Sequence, residues 1–150
     1  MAFGADGRLY ITQERGDIVR IDWATNQGGR KVTFASGFTN PLSLALRPGT
    51  QELYVGSRGR VSVVRDPTGR GFGEVQSVIT GLPAGNPSAI GIAFGPDGKL
   101  YVSIGATCNA CAESDTRSAT VMRYNVDGTG GTTFARGLRN TYALKFSPSD

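Results

Sequence analysis

Apolar positions along this chain fall in short runs of strand length, alternating with polar ones and cut by glycine-rich turns. Almost no segment spaces them at the 3.6-residue period of an amphipathic helix. The clearest stretch runs from Ile92 to Gly105. In it Gly95-Pro96-Asp97-Gly98 separates two apolar halves, with proline presetting φ and glycine accepting φ > 0. This predicts a β-hairpin. The pattern is repeated over residues 1–12 and, more loosely, over 44–55, and a further copy begins at Ala143.

The tyrosines that anchor the copies, Tyr10, Tyr54 and Tyr101, lie 44 and 47 residues apart, the length of four short strands with their turns. The predicted fold is all-β: a β-propeller of about three four-stranded blades, half of a six-bladed ring. The blades span roughly 1–37, 42–82 and 90–137, with the first strand of a fourth at 142–147. A helical repeat of similar period is the rival, but 22 glycines and 7 prolines would interrupt helices too often. Within an antiparallel blade, the loops between second and third strands and the connections between blades share one face of the ring. That face therefore receives residues 37–41, 81–89, the single long insertion 105–118, and 137–141. Function concentrates on such loops.

Composition narrows the classes. With 39% hydrophobic and 19% charged residues the 150-residue chain can bury a core. Its net charge of +4 is scattered, without a basic run or a basic amphipathic helix, which argues against a nucleic-acid partner. No apolar run reaches membrane-spanning length, and the first residues already read as strand rather than signal peptide.

Candidate chemistry lies on the loop face. Residues 33–40 and 133–140 repeat one another (Thr-Phe-Ala-x-Gly-x-x-Asn), so Asn140 has a counterpart in Asn40, whereas Arg139 replaces Thr39 and is not explained by the repeat. Asn140 reads equally as a loop-bonding side chain or a ligand contact. A guanidinium at Arg139 suits a carboxylate or phosphate, with a surface ion pair as the plain alternative. The insertion holds Cys108 and Cys111. A closed zinc centre is excluded, because the chain has no histidine and no other cysteine. A local disulfide is the first reading of the pair, free thiols the second, and a redox-active pair the third. Glu113 and Asp115 read as a solvated loop tip or as help in holding a hard cation.

In order and spacing, residues 94–105, Cys108-Asn109-Ala110-Cys111, Tyr124-Asn125-Val126-Asp127-Gly128 and Ala135-Arg136-Gly137-Leu138-Arg139-Asn140 resemble the soluble quinoprotein sugar dehydrogenases of the glucose and sorbosone dehydrogenase family. The likeness covers the third blade closely and the first two only as generic repeats. It implies a six-bladed propeller that holds pyrroloquinoline quinone (PQQ) and calcium at its mouth and moves a hydride from an aldose or related sugar to the quinone, in a periplasmic or extracellular setting. It also implies that Arg139 and Asn140 contact the quinone. The family's base is a histidine, and its place here falls near Ser88, where neither Asn86 nor Ser88 supplies a group of suitable pKa.

Two function classes follow: a piece or diverged relative of a quinone-dependent sugar dehydrogenase, not competent alone, or a non-catalytic propeller module binding a carbohydrate or protein on its loop face. A metal-dependent lactonase ranks last, since converging carboxylates are missing from the loop face. Three blades leave open sides, so a homodimer of half-propellers is a further expectation.

Overall fold

The hairpins close in one repeated way. Gly98 N donates to Gly95 O (2.9 Å) and Gly95 N donates to Lys99 O (3.0 Å), while Gly98 takes φ 71°. Gly7 N to Gly4 O (3.0 Å) and Gly128 N to Asn125 O (2.9 Å) repeat the turn, with φ 78° at Gly7 and 85° at Gly128. A left-handed residue closing such a short turn lets the two strands keep their twist, and glycine adopts that conformation without a Cβ penalty.

The computed structural model describes residues 1–4, 7–22, 29–66, 71–85 and 89–147. The described residues form twelve strands in three four-stranded antiparallel sheets, with no helix. The first sheet holds β1 (Ala2–Phe3), β2 (Leu9–Thr12), β3 (Ile18–Asp22) and β4 (Arg30–Ala35). The second holds β5 (Ser43–Leu46), β6 (Leu53–Ser57), β7 (Arg60–Arg65) and β8 (Glu74–Ile79). The third holds β9 (Ile90–Phe94), β10 (Leu100–Ile104), β11 (Thr120–Tyr124) and β12 (Thr132–Arg136). Strand order follows chain order in every sheet, and a bulge falls near the start of each third strand, at Ile18/Val19, Val61/Ser62 and Val121/Met122. These are the blades of a partial β-propeller.

The core lies between blades. Successive side chains of a strand point to opposite faces, so Leu53, Val55 and Val64 of the second sheet face Tyr10, Ile18 and Phe34 of the first. Tyr54, Val61 and Val63 face Ile90, Ile92 and Val102 of the third. Each fully buried aliphatic side chain contributes roughly 1.5–3 kcal/mol, so the doubly covered second sheet holds the other two in place. The Tyr54 ring meets Phe94 edge-on (centroids 5.0 Å apart), and its hydroxyl donates to Val126 O (3.0 Å).

A backbone clasp recurs on the loop face. Phe38 N donates to Gly16 O (3.1 Å), Leu82 N to Gly59 O (2.9 Å) and Leu138 N to Ala119 O (3.0 Å). In each case the residue after a left-handed glycine, Gly37, Gly81 or Gly137, ties the exit of a blade's fourth strand to the loop before its third. The accepting residue is itself left-handed, at φ 100° for Gly16, 73° for Gly59 and 56° for Ala119. Only in the third blade is it not glycine.

The expected fourth-blade strand at 142–147 is not paired as a strand. An innermost strand pairs with the second strand of its own blade, and the described residues include none for it. Phe146 nevertheless packs edge-on against Tyr101 (4.8 Å), as Phe94 packs on Tyr54. Beside it an apolar groove of about 180 Å³ runs between Tyr101, Val121, Phe134 and Leu144, with Phe134 59% exposed.

The clasp can be tested by exchanging its left-handed residues. Gly59→Ala should cost about 1 kcal/mol, because an added Cβ finds room (3.5 Å from Leu82 O) but not a favourable φ. Ala119→Gly, in the same slot, should be neutral or stabilise by up to about 1 kcal/mol; chemical denaturation of both variants checks the opposite signs. Light scattering on the 150-residue chain is expected to show a dimer that Phe134→Ser weakens, and a stable monomer would remove self-association through this face.

Candidate functional site

The insertion is fixed at both feet. Gly105 N donates to Ala89 O (2.8 Å), Ala119 N to Gly105 O (3.4 Å), and Ala106 N to Arg139 O (2.6 Å). Gly105 is required here: a Cβ would stand 2.8 Å from the Ala89 Cβ and 2.7 Å from Asn140 Oδ1. The loop between strands β10 and β11 is thereby held against the connection that leaves β12.

Inside the loop, carboxylates do the ordering. Glu113 accepts from Thr107 N (2.7 Å) and Thr107 Oγ1 (2.5 Å). Those bonds, the Thr107 hydroxyl first, hold its pKa below the ordinary 4.5. Asp115 accepts from Arg117 N (2.9 Å) and Nη2 (2.7 Å), and the Arg117 side chain lowers its pKa most. The same Arg117 Nη2 donates to Gly81 O (2.7 Å), tying the insertion to the second blade. Glu113 and Asp115 thus order their own loop through separate partners, Thr107 and Arg117.

Cys108 and Cys111 are joined in a disulfide with Cα atoms 6.0 Å apart. Asn109, within that small ring, accepts from Arg139 Nη2 (2.9 Å) through its Oδ1. Among the described residues no carboxylate pairs with Arg139, so the plain ion-pair alternative does not hold there. The exposed guanidinium borders an open cleft of about 270 Å³ lined also by Cys108, Cys111, Glu113, Ala119 and Leu138. Its remaining N–H groups are free to meet an anion.

Asn140 differs from its counterpart. Asn40 takes φ 49°, a backbone role that asparagine tolerates, whereas Asn140 lies outside that region and sets its exposed amide against Gly105. Asn86 and Ser88 lie outside the described residues; the flanking Gly85 and Ala89 abut Thr107 and Gly105. Arg139 and the cysteines stand out in the sequence by their chemistry, whereas the parts Asn109, Thr107 and Ala119 play at this mouth do not. Ala119 was findable, since it stands where the second blade has Gly59.

The structure therefore brings the insertion, Arg139 and Asn140 to one mouth on the loop face of a partial propeller. No protein-family model and no curated protein matches the chain. Among solved structures it is similar to a protein from Thermus thermophilus described, provisionally, as an oxidoreductase (glucose dehydrogenase), at 28% identity and a TM-score of 0.66 over 84% of this chain. The chain spans 42% of that protein's length. The similarity fits the sugar dehydrogenase class at the level of fold and oxidoreductase relatedness.

Because Glu113 and Asp115 have lowered pKa values in the folded loop, their contribution is complete above their ordinary values of 4.5 and 3.8 and is lost as pH falls through the folded ones. An NMR titration should show the Thr107 amide moving with a midpoint below 4.5, and Glu113→Gln should abolish that movement. A midpoint at or above 4.5 would contradict the hydrogen-bonded carboxylate.

Proposed function

We propose that this chain is a piece or diverged relative of a quinone-dependent sugar dehydrogenase, in which Arg139 and Asn140 face an anionic cofactor of the PQQ type at the propeller mouth. The observation that carries the reading is the Arg139 guanidinium, oriented by Asn109 at the cleft edge and without a carboxylate partner among the described residues. A delocalised cation with a fixed plane complements carboxylates and quinone oxygens that gain charge on reduction. The similar Thermus protein, provisionally a glucose dehydrogenase, supports the substrate class.

The donor set fits such a cofactor in part. Arg139 would hold a carboxylate or quinone oxygen, and the Asn140 amide would supply a neutral donor beside it. When bound, a quinone of this kind accepts the hydride that a sugar hydroxyl carbon gives up. The chain's own task would be to bind and orient that cofactor, with the disulfide-closed loop fixing Asn109 and hence the angle of Arg139. The residues do not fit calcium, which takes several oxygen ligands: Asp115 is paired with Arg117, and the one cluster of acidic or thiol side chains among the described residues, Cys108, Cys111 and Glu113, offers two sulfurs and a single carboxylate. Deprotonating a sugar hydroxyl needs a base near working pH, and the chain has no histidine. Turnover by this chain alone is therefore not expected.

The test is optical. Adding PQQ with calcium to concentrated protein should perturb the quinone absorption, and Arg139→Ala should weaken that binding about tenfold or more. An unchanged spectrum removes cofactor binding from this account. Aldose oxidation with an artificial electron acceptor should be undetectable, and clear turnover would show that a base lies elsewhere.

A further inference from the structure

We propose that reducing the Cys108–Cys111 disulfide opens a site for one soft divalent cation of the zinc class, held by the two thiolates and the Glu113 carboxylate. The inference is independent of the quinone reading.

The geometry carries it. Ligand atoms of Cys108, Cys111 and Glu113 lie within 4.8 Å of one another, with Cys108 Sγ 4.0 Å from Glu113 Oε1. A tetrahedral zinc with Zn–S of about 2.3 Å and Zn–O of about 2.1 Å sets ligand atoms roughly 3.5–3.8 Å apart. From a disulfide the sulfurs need to part by only about 2 Å, within the range of side-chain rotation over a Cα separation of 6.0 Å. Cys-x-x-Cys is also a spacing that zinc sites use. A closed site of four soft ligands stays excluded; this one has three protein ligands and an open position toward the cleft.

The surroundings suit the ion. Thr107 N and Oγ1 already orient the Glu113 carboxylate, as outer hydrogen bonds do for metal-ligating carboxylates, and its oxygens keep lone pairs to give. Two thiolates and a carboxylate place three negative charges around a dication, and Arg139 on the same cleft offsets the excess. Thiolates select zinc over calcium, which takes oxygen ligands.

Access and chemistry are consistent. Cys111 is exposed and Cys108 half-buried, so a dithiol reductant can reach the bond. That reductant gives two electrons and two protons, breaking the S–S bond to form two thiols while it closes its own disulfide. Binding the cation then releases both thiol protons. The oxidised loop has no thiolate to offer, so redox state decides whether the site exists.

Cobalt(II) serves as the probe. Chain reduced with dithiothreitol and desalted without oxygen should take up one cobalt per chain, with a thiolate-to-metal charge-transfer band that zinc abolishes. Oxidised chain should show no band. Glu113→Gln should weaken uptake about tenfold or more, whereas Asp115→Asn, which alters a neighbouring acid outside the cluster, should leave it unchanged. Circular dichroism of each variant separates a lost ligand from a lost fold. A reduced, folded chain without the band overturns the proposal. So does Glu113→Gln with unaltered affinity, or one metal shared between two chains.

Discussion

Burial on both faces of a sheet is the constraint from which the rest of this molecule follows. A strand set such as Leu53, Tyr54 and Val55 has no solvent side, so the second sheet is stable only while a neighbour covers each face. Coverage comes from copies of the same unit, and each unit therefore touches only those beside it. Stability in such an array is close to a sum of blade and junction contributions. The third sheet has one such junction built in full and, on its other side, a groove covered only in part by Leu144 and Phe146.

The clasp between each blade's exit and the loop before its third strand connects that packing to the mouth. It fixes where the chain leaves a blade and so where Arg139 begins, one residue after the Leu138 amide that closes the third clasp. From there the order of dependence runs outward: Ala106 on Arg139 O, Glu113 on Thr107, Asn109 within the disulfide ring, and the guanidinium on Asn109. No group in this series is deeply buried, and its geometry rests on hydrogen bonds and a covalent ring more than on packing.

The fold was legible because its signals are local and repeated. A Pro-Asp-Gly turn between two alternating runs states its own structure, and three tyrosines at nearly even spacing state the period. Where the signal was not local, reading failed. The segment 142–147 carries the residues of an innermost strand, but pairing needs a partner strand that the described residues do not include. At the site, the residue types at 108, 111 and 139 showed themselves by departing from the repeat or by their chemistry. Asn109 did not, since its role depends on which side of a long loop meets residue 139. Asn140 looked like a copy of Asn40 until the backbone separated them, one in the left-handed region and the other not.

The two feet of the insertion carry a consequence for how this surface can change. Gly105 and Ala119 meet through one backbone hydrogen bond, and the strands on either side keep the register of an ordinary blade. Between them the loop touches the ring at few points, chiefly Ala106 on Arg139 O and Arg117 on Gly81 O. Such a segment can change in length or sequence while the blade strands keep their register, provided those few contacts are kept, which makes it the natural place for descendants of this architecture to diverge in what they recognise. The same closure makes it a graft point, where a foreign loop with matching ends would inherit a rigid base and would have to supply its own partner for the neighbouring Arg139.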